Sequence, residues 1–184
     1  MPLHKTTPAE IIKHSLLVFR TNGYYRTTMN DLAKANGLTK GVFYHHFANK
    51  EEVMKKSLAA TTNWFQRKIF SIAYDDSLEY KERLVQIADT LFDGFTRNTG
   101  GCFFANTILE TAHVEDTFLE EINDFFRLFE EALSNIFKEK HSGDQLSDMV
   151  QQIIANIEGS IILMQLRKDP TLLRKALDRV IQQF

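Results

Sequence analysis

Residues 38–47, LTKGVFYHHF, combine hydrogen-bonding side chains with aromatic anchors in one short segment. On a helical wheel, Phe43 and Phe47 fall within about 40° of each other and mark one apolar face. The other side of the wheel carries a polar set made of Lys40, Gly41, Tyr44 and His45. A helix that only filled a core would not need this set, so the pattern predicts a face that meets a hydrogen-bonding partner.

Duplex DNA is the partner that suits this chemistry. Lys40 can donate to guanine O6 or N7 or to a phosphate, and Val42 can touch a thymine methyl group. Gly41 has no Cβ, which lets the backbone approach DNA closely. The side chains that can donate to phosphate oxygens are Tyr44, His45 and His46.

Helices with clear start and stop signals would position these residues. Thr7-Pro8-Ala9-Glu10 predicts the start of a first helix, which Gly23 ends. Thr28-Met29-Asn30-Asp31 predicts a second helix that stops at Gly37, and a third is predicted over 39–47. Two short helices joined by a glycine turn form a helix-turn-helix, whose second helix enters the major groove.

Further phosphate contacts are expected at the helix starts. Thr28 and Thr39 bring hydroxyl groups and helix N-termini, where amides and the helix dipole favour anions. Lys50, which opens a fourth helix, adds a cation. His45 and His46 would point about 100° apart on a helix, and no third ligand follows at a telling spacing, so neither a metal nor a cofactor is predicted.

The rest of the chain also shows helical periodicity, without clear strand alternation. Further helices are predicted over Lys50 to about Ile72, 77–97, 102–112, 115–140 and 144–167, and after Asp169-Pro170 through Ile181, with a break at Thr99-Gly100-Gly101. We therefore predict an all-α fold of about nine helices.

Charge is distributed unevenly along the 184 residues. Residues 1–50 hold seven Lys or Arg and two acids, a net charge of +5, whereas the other 134 hold 15 bases and 22 acids, a net charge of −7. A basic N-terminal segment followed by an acidic remainder indicates that the N-terminal segment binds a polyanion. The single Cys excludes an intrachain disulfide, and the sequence shows neither a signal peptide nor an 18-residue apolar stretch. We expect a cytoplasmic protein with no membrane partner.

Several segments act together as a signature: Gly23-Tyr24, Thr27-Thr28-Met29-Asn30-Asp31-Leu32-Ala33, Asn36-Gly37 followed by LTKGVFYHHF, and Lys50-Glu51-Glu52. In residue types and spacing they resemble the DNA-binding domain of the TetR/AcrR family of bacterial transcriptional regulators. The resemblance covers about residues 7–55. It departs at Asn36, where small residues are usual.

The resemblance implies an all-helical homodimer. We expect an N-terminal DNA-binding domain of three helices at 1–49 and a divergent ligand-binding and dimerisation domain at 50–184. The positions that commonly approach DNA in the family match Thr28, Lys40, Gly41, Val42, Tyr44, His45, His46 and Lys50. Base contacts are expected around 40–42. The expected phosphate contacts are those of Thr28, Tyr44, His46 and Lys50.

Twelve of the fifteen Phe residues lie after residue 50. Plain core packing would explain them, but a bundle with so many rings can also enclose an apolar cavity. On the second interpretation, a small hydrophobic or aromatic effector binds among Phe92, Phe95, Phe103, Phe104, Phe125, Phe126 and Phe129. Trp64 and Phe65, on the helix that links the two domains, would report the effector to the DNA-binding domain.

Two further features allow alternative interpretations. Cys102 follows two glycines at a predicted helix start, where a helix dipole favours thiolate formation, so a redox sensor and a packed apolar Cys both remain open. Ala155 and Gly159 are four residues apart, which would let a second helix come close, within one subunit or across a dimer. The predicted dimer interface consists of Ile154, Ala155, Ile157, Gly159, Ile161, Leu173, Leu177, Val180 and Ile181.

Together these features predict a ligand-responsive repressor. The unliganded dimer would hold two recognition helices in successive major grooves of a palindromic operator, and the effector would favour a conformation that no longer fits. A DNA-binding architectural protein without an effector and a ligand-dependent activator remain alternatives. An enzyme is disfavoured, because no nucleophile–base pair, metal cluster or phosphate loop stands out.

Overall fold

The computed structural model describes residues 7–97 and 100–183, and all regular elements within these ranges are helical. The α-helices are α1 Pro8–Asn22, α2 Met29–Ala35, α3 Lys40–His46, α4 Lys50–Lys68, α5 Tyr80–Arg97, α6 Phe103–Thr111, α7 Leu119–Phe137, α8 Gly143–Arg167 and α9 Thr171–Gln183. A short 3-10 helix lies at Phe70–Tyr74. The predicted all-α class is confirmed, with nine α-helices in the described ranges.

The predicted start of α1 is formed by reciprocal hydrogen bonds. The Thr7 hydroxyl accepts from the Glu10 amide at 3.3 Å, and the Glu10 carboxylate accepts from the Thr7 amide at 2.8 Å. At the other end, the Gly23 amide donates to the Phe19 carbonyl at 2.8 Å. Gly23 has a φ of +78°, a value that favours glycine. Local signals therefore define both ends of this helix.

The predicted fourth helix differs from the observed one at its C-terminal end. It was expected to reach about Ile72, but α4 ends at Lys68 and the 3-10 helix follows. The Ala73 carbonyl accepts hydrogen bonds from the side chains of Arg83 at 3.2 Å and Asn135 at 2.7 Å. These donors come from α5 and α7, so tertiary contacts fix the irregular end of this segment.

Other predicted boundaries shift by a few residues. The predicted helices 77–97 and 115–140 are observed as α5 and α7, which begin at Tyr80 and Leu119. Thr99, part of the predicted break before α6, lies outside the described residues, as do residues 1–6 and 184 of the predicted domains.

The chain packs as two compact units. The described part of the first comprises residues 7–62 and 103–122, and that of the second comprises 63–97, 100–102 and 123–183. The segment 103–122 thus packs with the N-terminal helices, although it falls in the domain predicted at 50–184. Packing does not say which residues bind DNA or ligand, so the predicted functional division stays a prediction.

The core of the first unit anchors α3. Ile11, Phe19 and Leu32 are buried on α1 and α2, and Phe43 and Phe47 are almost fully buried beside them. The centroids of the two Phe rings are 5.5 Å apart. Because one face of α3 is held by these rings, its opposite face is turned toward solvent.

The core of the second unit is rich in aromatic rings. Phe70 and Phe129 stack with centroids 5.2 Å apart, and Phe125 lies 5.7 Å from Phe70. Apolar side chains of α8 and α9, among them Ile157 and Leu173, complete the interior. No helix in the described ranges is both long and apolar enough to cross a membrane.

Candidate nucleic-acid interface

The helix-turn-helix is built by caps that the sequence predicts. The Thr28 hydroxyl accepts from the Asp31 amide at 3.2 Å, and the Asp31 carboxylate accepts from the Thr28 amide at 2.9 Å. Two hydrogen bonds to the Asp31 carboxylate, from the Thr28 hydroxyl at 2.6 Å and from the Thr28 amide, lower the pKa of Asp31. Gly37, with a φ of +64°, turns the chain, and the Thr39 hydroxyl accepts from the Val42 amide at 3.3 Å to start α3.

Asn36 has a structural use that its departure from the family pattern did not suggest. Its side-chain amide donates to the Leu32 carbonyl at 2.8 Å and to the Ser15 hydroxyl at 3.3 Å. Its side-chain oxygen lies 3.2 Å from Nδ1 of His14. Asn36 therefore ties the end of α2 to α1, and the turn after it keeps a defined position.

The solvent-facing side of α3 carries the predicted polar set. Val42 and Tyr44 are 42% and 45% exposed, while Phe43 on the opposite face is fully buried. The Lys40 ammonium lies 5.8 Å from the centroid of the Tyr44 ring. The exposed residues of this face are Lys40, Gly41, Val42, Tyr44, His45 and His46. The arrangement offers a cation, hydroxyl and imidazole groups and a methyl surface on one short helix.

The two threonines and Lys50 differ in how they are engaged. Thr28 and Thr39 are exposed, but the Thr28 hydroxyl also donates to Asp31 at 2.6 Å, so a phosphate would compete with the cap. Lys50 is half-buried, its ammonium donates to the Tyr24 carbonyl at 2.8 Å, and it lies 4.1 Å from the Tyr24 ring centroid. Burial lowers the pKa of Lys50 and raises that of the Tyr24 hydroxyl to about 12. Lys50 is therefore engaged within the first unit, and its predicted phosphate contact stays a prediction.

Glu110 is a contact of the first unit that local sequence patterns did not reveal. Its carboxylate accepts from the backbone amides of Tyr24 and Tyr25, each at 2.8 Å. The sequence separations are 86 and 85 residues, so no pattern within one helix could indicate the pairing. Gly23, the predicted end of α1, adjoins this carboxylate.

The predicted effector pocket is mostly a packed aromatic cluster. In the second unit, Phe125 lies 5.0 Å from Phe65 and 5.2 Å from Phe126, centroid to centroid, and Phe129 is buried beside them. Phe95 is half-buried, 6.5 Å from Phe65. Phe103 and Phe104 are buried in the first unit. Ring-to-ring contacts join several members of this set, and its role as an effector pocket stays a prediction.

A groove of about 660 Å³ lies elsewhere in the second unit. Its walls include the predicted residues Trp64 and Phe92, together with Asp89, Thr90, Asp93, Gly94, Arg97 and Arg174. Ion pairs of 2.7 Å join Arg174 to Asp89 and Arg97 to Asp93. The Arg174 guanidinium lies 4.8 Å from the Phe92 ring centroid. The groove thus combines aromatic surface with charged groups, which the hydrophobic pattern alone did not predict.

The residues predicted for the dimer interface fall on two different faces. Six of them are buried inside the second unit: Ile154, Ile157, Ile161, Leu173, Leu177 and Val180. Ala155 is exposed, and Gly159 and Ile181 are half-buried. The strong apolar periodicity marked the inner faces of α8 and α9, because packing within a subunit produces the same periodicity as packing between subunits. The large apolar side chains of α8 that are exposed are Ile162, Leu163 and Leu166.

Cys102 is buried, 4% exposed, and shares a hydrogen bond with Glu158. Burial raises the pKa of the Glu158 carboxyl group. Reactive cysteines are partly exposed, so this placement favours a packed Cys over a sensor. Within the described residues, no group of three or more His, Cys, Asp or Glu stands close enough together to hold a metal ion.

Two family models of transcriptional regulators match this chain. Residues 5–56 match the model for bacterial regulatory proteins of the tetR family, and residues 81–179 match the C-terminal domain of LmrA/YxaF-like transcriptional regulators. The HTH-type transcriptional repressor DhaR of Mycobacterium sp. strain GP1 is 24% identical over 180 residues, which cover 93% of this chain and 86% of DhaR.

Two solved structures show the same fold. A TetR transcriptional regulator from Legionella pneumophila superposes with a TM-score of 0.86 at 20% identity, covering 100% of this chain and 98% of that one. FadR from Bacillus subtilis, solved in complex with stearoyl-CoA, has a TM-score of 0.78 at 18% identity, covering 97% and 100%. Proteins of this type are DNA-binding transcriptional regulators that usually act as dimers. With family models matched at both ends and one fold throughout, the chain belongs to the TetR family of transcriptional regulators.

Proposed function

We propose that this protein is a repressor that binds a palindromic operator as a homodimer and is released by a small aromatic effector. The observation that carries the proposal is the exposed surface of α3, where Lys40, Gly41 and Val42 are exposed to solvent while Phe43 is buried. A helix anchored on one face and polar on the other can enter a major groove without disturbing the core.

Each exposed residue has a proposed role at the DNA. Lys40 and Val42 face base edges, with Gly41 allowing close approach of the backbone. Tyr44, His45 and His46 donate to phosphate oxygens, and the exposed N-termini of α2 and α3 at Thr28 and Thr39 add backbone amides. Lys50 takes an indirect part, because its ammonium is engaged with Tyr24.

The proposed dimer uses the outer face of α8. Leu166 is 75% exposed and Ile162 is 53% exposed, and Leu163 lies next to them. Ala155 and Gly159 continue the same stripe toward the start of the helix at spacings of three or four residues, which share one helical face. Small residues at one end and apolar side chains at the other suit close packing against a second copy of α8. The two DNA-binding domains, related by a two-fold axis, would then bind the two halves of a palindrome.

The proposed effector site is the groove between Trp64 and Phe92. Aromatic walls suit a planar apolar group, and the charged residues at Asp89, Asp93, Arg97 and Arg174 suit a polar substituent. FadR, which has this fold, was solved in complex with stearoyl-CoA, a ligand with a long acyl chain and a charged coenzyme A group. An effector can shift operator affinity only by its different affinities for the two conformations.

The test is selection of duplexes from a random DNA library by the purified protein at near-physiological salt. We expect an enriched palindrome, and we expect Lys40→Ala to lose base discrimination at one position per half-site, by about 1–3 kcal/mol. Lys81→Ala is the matched control, because it removes the same charge from an exposed site on α5.

The outcomes separate the competing functions. Binding to DNA without an enriched sequence would favour the alternative of an architectural DNA-binding protein. An enriched site without two-fold symmetry would contradict binding of the operator by a symmetric dimer. If Lys40→Ala selects the same palindrome with undiminished discrimination, the role assigned to α3 is wrong.

A further inference from the structure

The turn between α1 and α2 is held by a carboxylate from a distant part of the chain. Oε2 of Glu110 accepts from the Tyr24 amide and Oε1 accepts from the Tyr25 amide, each at 2.8 Å. One carboxylate on two consecutive backbone amides is a bidentate, charge-assisted contact, which is stronger than a neutral hydrogen bond. Glu110, on α6, therefore binds the backbone of the turn directly.

Gly23 makes this contact sterically possible. A Cβ at this position would lie 2.7 Å from Oε2 and 2.9 Å from Oε1 of Glu110. The residue also has a φ of +78°, which other L residues rarely adopt. The turn thus combines a glycine that admits the carboxylate with the two amides that bind it.

Other groups of the first unit hold the same turn less directly. The Tyr25 hydroxyl donates to Glu115 at 3.2 Å, and the Tyr24 ring meets Phe118 edge-on with centroids 4.7 Å apart. Lys50 donates to the Tyr24 carbonyl. A surface cavity of about 490 Å³ borders the turn and Glu110. On the side of this cavity the turn is not densely packed, so hydrogen bonds hold it there.

The held turn leads straight into the DNA-reading helices. Thr27, two residues after Tyr25, donates its hydroxyl proton to the Gly23 carbonyl at 2.6 Å, and Thr28 then caps α2. A shift of the turn would therefore move the start of α2 and, through the short Gly37 turn, α3.

We propose that Glu110 is a positioning residue for DNA binding, which sets the orientation of α2 and α3 by fixing the Gly23–Tyr25 turn to α6. This inference rests on the proposed DNA-binding function and extends it by naming the contact through which α6 acts on the recognition helix. Glu110 itself touches no DNA in this scheme.

The experiment compares full-length variants on the palindrome that the wild-type protein selects. Glu110→Ala removes both acceptors, whereas Glu110→Gln keeps the volume and one acceptor and serves where the Ala variant does not fold. Glu115→Gln is the matched control, since Glu115 contacts the Tyr25 hydroxyl and not the backbone amides. Operator affinity per folded molecule and hydrogen exchange at the Tyr24 and Tyr25 amides are measured.

We expect the Glu110 variants to bind the operator about tenfold or more weakly and to exchange both amides faster, while Glu115→Gln stays within about twofold of wild type. A residue that only stabilised the fold would lower the folded fraction without changing affinity per folded molecule. Unchanged affinity in folded Glu110→Gln and Glu110→Ala would overturn the proposal.

A double-mutant cycle tests the mechanism. Gly23→Ala should expel the Glu110 carboxylate and weaken binding, and adding Glu110→Ala to it should weaken binding little further, because both changes break one contact. If the losses of binding free energy in the two single variants add fully in the double variant, the two changes do not break one shared contact and the mechanism is wrong. If wild-type protein selects no DNA, the proposed function fails as well; if it selects a palindrome and the Glu110 variants bind it equally well, only this inference fails.

Discussion

At the scale of single residues, Glu158 is a carboxyl group largely enclosed by the second unit. Desolvation raises its pKa, although the hydrogen bond with the Cys102 thiol acts in the opposite direction. A group whose pKa is higher in the folded state holds its proton more tightly there than in the unfolded chain. Its contribution to stability is therefore complete below the ordinary value of 4.5 and is lost as the pH rises through the raised pKa.

Glu158→Gln should remove this pH dependence, because the amide stays neutral. We expect the free energy of unfolding of the variant to exceed that of wild type by an amount that grows as the pH rises above 4.5 and then levels off. Denaturation in urea at several pH values from acidic to mildly alkaline would measure it. Glu139→Gln, at an exposed site, is the control. If the difference in the free energy of unfolding between Glu158→Gln and wild type does not vary with pH, the raised pKa of Glu158 is contradicted.

At the scale of elements, one buried arginine organises the irregular segment between α4 and α5. Arg83 is 6% exposed and donates to the carbonyls of Leu78 at 2.9 Å and Ala73 at 3.2 Å, and to the Asp76 carboxylate at 3.2 Å. These bonds satisfy carbonyls that a continuous helix would have satisfied itself. The 3-10 helix is thus a product of tertiary hydrogen bonding.

Arg83→Met should keep much of the side-chain volume but remove the side-chain donor to the Leu78 carbonyl and leave the Ala73 carbonyl with Asn135 as its side-chain donor. We expect a loss of about 2 kcal/mol or more in the free energy of unfolding, measured by urea denaturation. Lys81→Met, an exposed change on the same helix, should be nearly neutral. If Arg83→Met and Lys81→Met unfold at the same urea concentration, Arg83 does not hold this segment.

At the scale of the whole molecule, DNA affinity should depend on the outer face of α8. Leu166→Glu places a charge in the proposed dimer contact, so we expect a monomer by sedimentation and about a hundredfold weaker binding to the palindrome, with half-site binding retained. Leu109→Glu makes the same change at a residue that is 70% exposed on α6, and it should remain dimeric. A dimeric Leu166→Glu would place the interface elsewhere.

Local signals in the sequence were sufficient for the recognition helices. The capping residues Thr7, Thr28 and Thr39 lie within three residues of their partners, and the spacing of Phe43 and Phe47 defines the buried face of α3. Interactions of this range depend only on helical geometry. The class of fold, the caps and the exposed polar face were therefore predictable.

Contacts between distant residues were not predictable in the same way. The sequence predicts a phosphate contact for Lys50 and does not indicate that its ammonium binds a carbonyl 26 residues away. Apolar residues on α8 and α9 were predicted to form a dimer interface, yet six of them are buried within the second unit. Periodicity reports that a face is buried and does not report what covers it.

By itself, the sequence determined that this protein is helical, that its N-terminal helices carry a polar recognition face, and that this face resembles a DNA-binding one. Only the tertiary structure decided that Glu110 holds the turn of Tyr24 and Tyr25, that Arg174 pairs with Asp89, and that the Phe rings pack against each other. The physical reason is range: helix caps and periodicity arise within a few residues, whereas these contacts exist only once distant segments have packed.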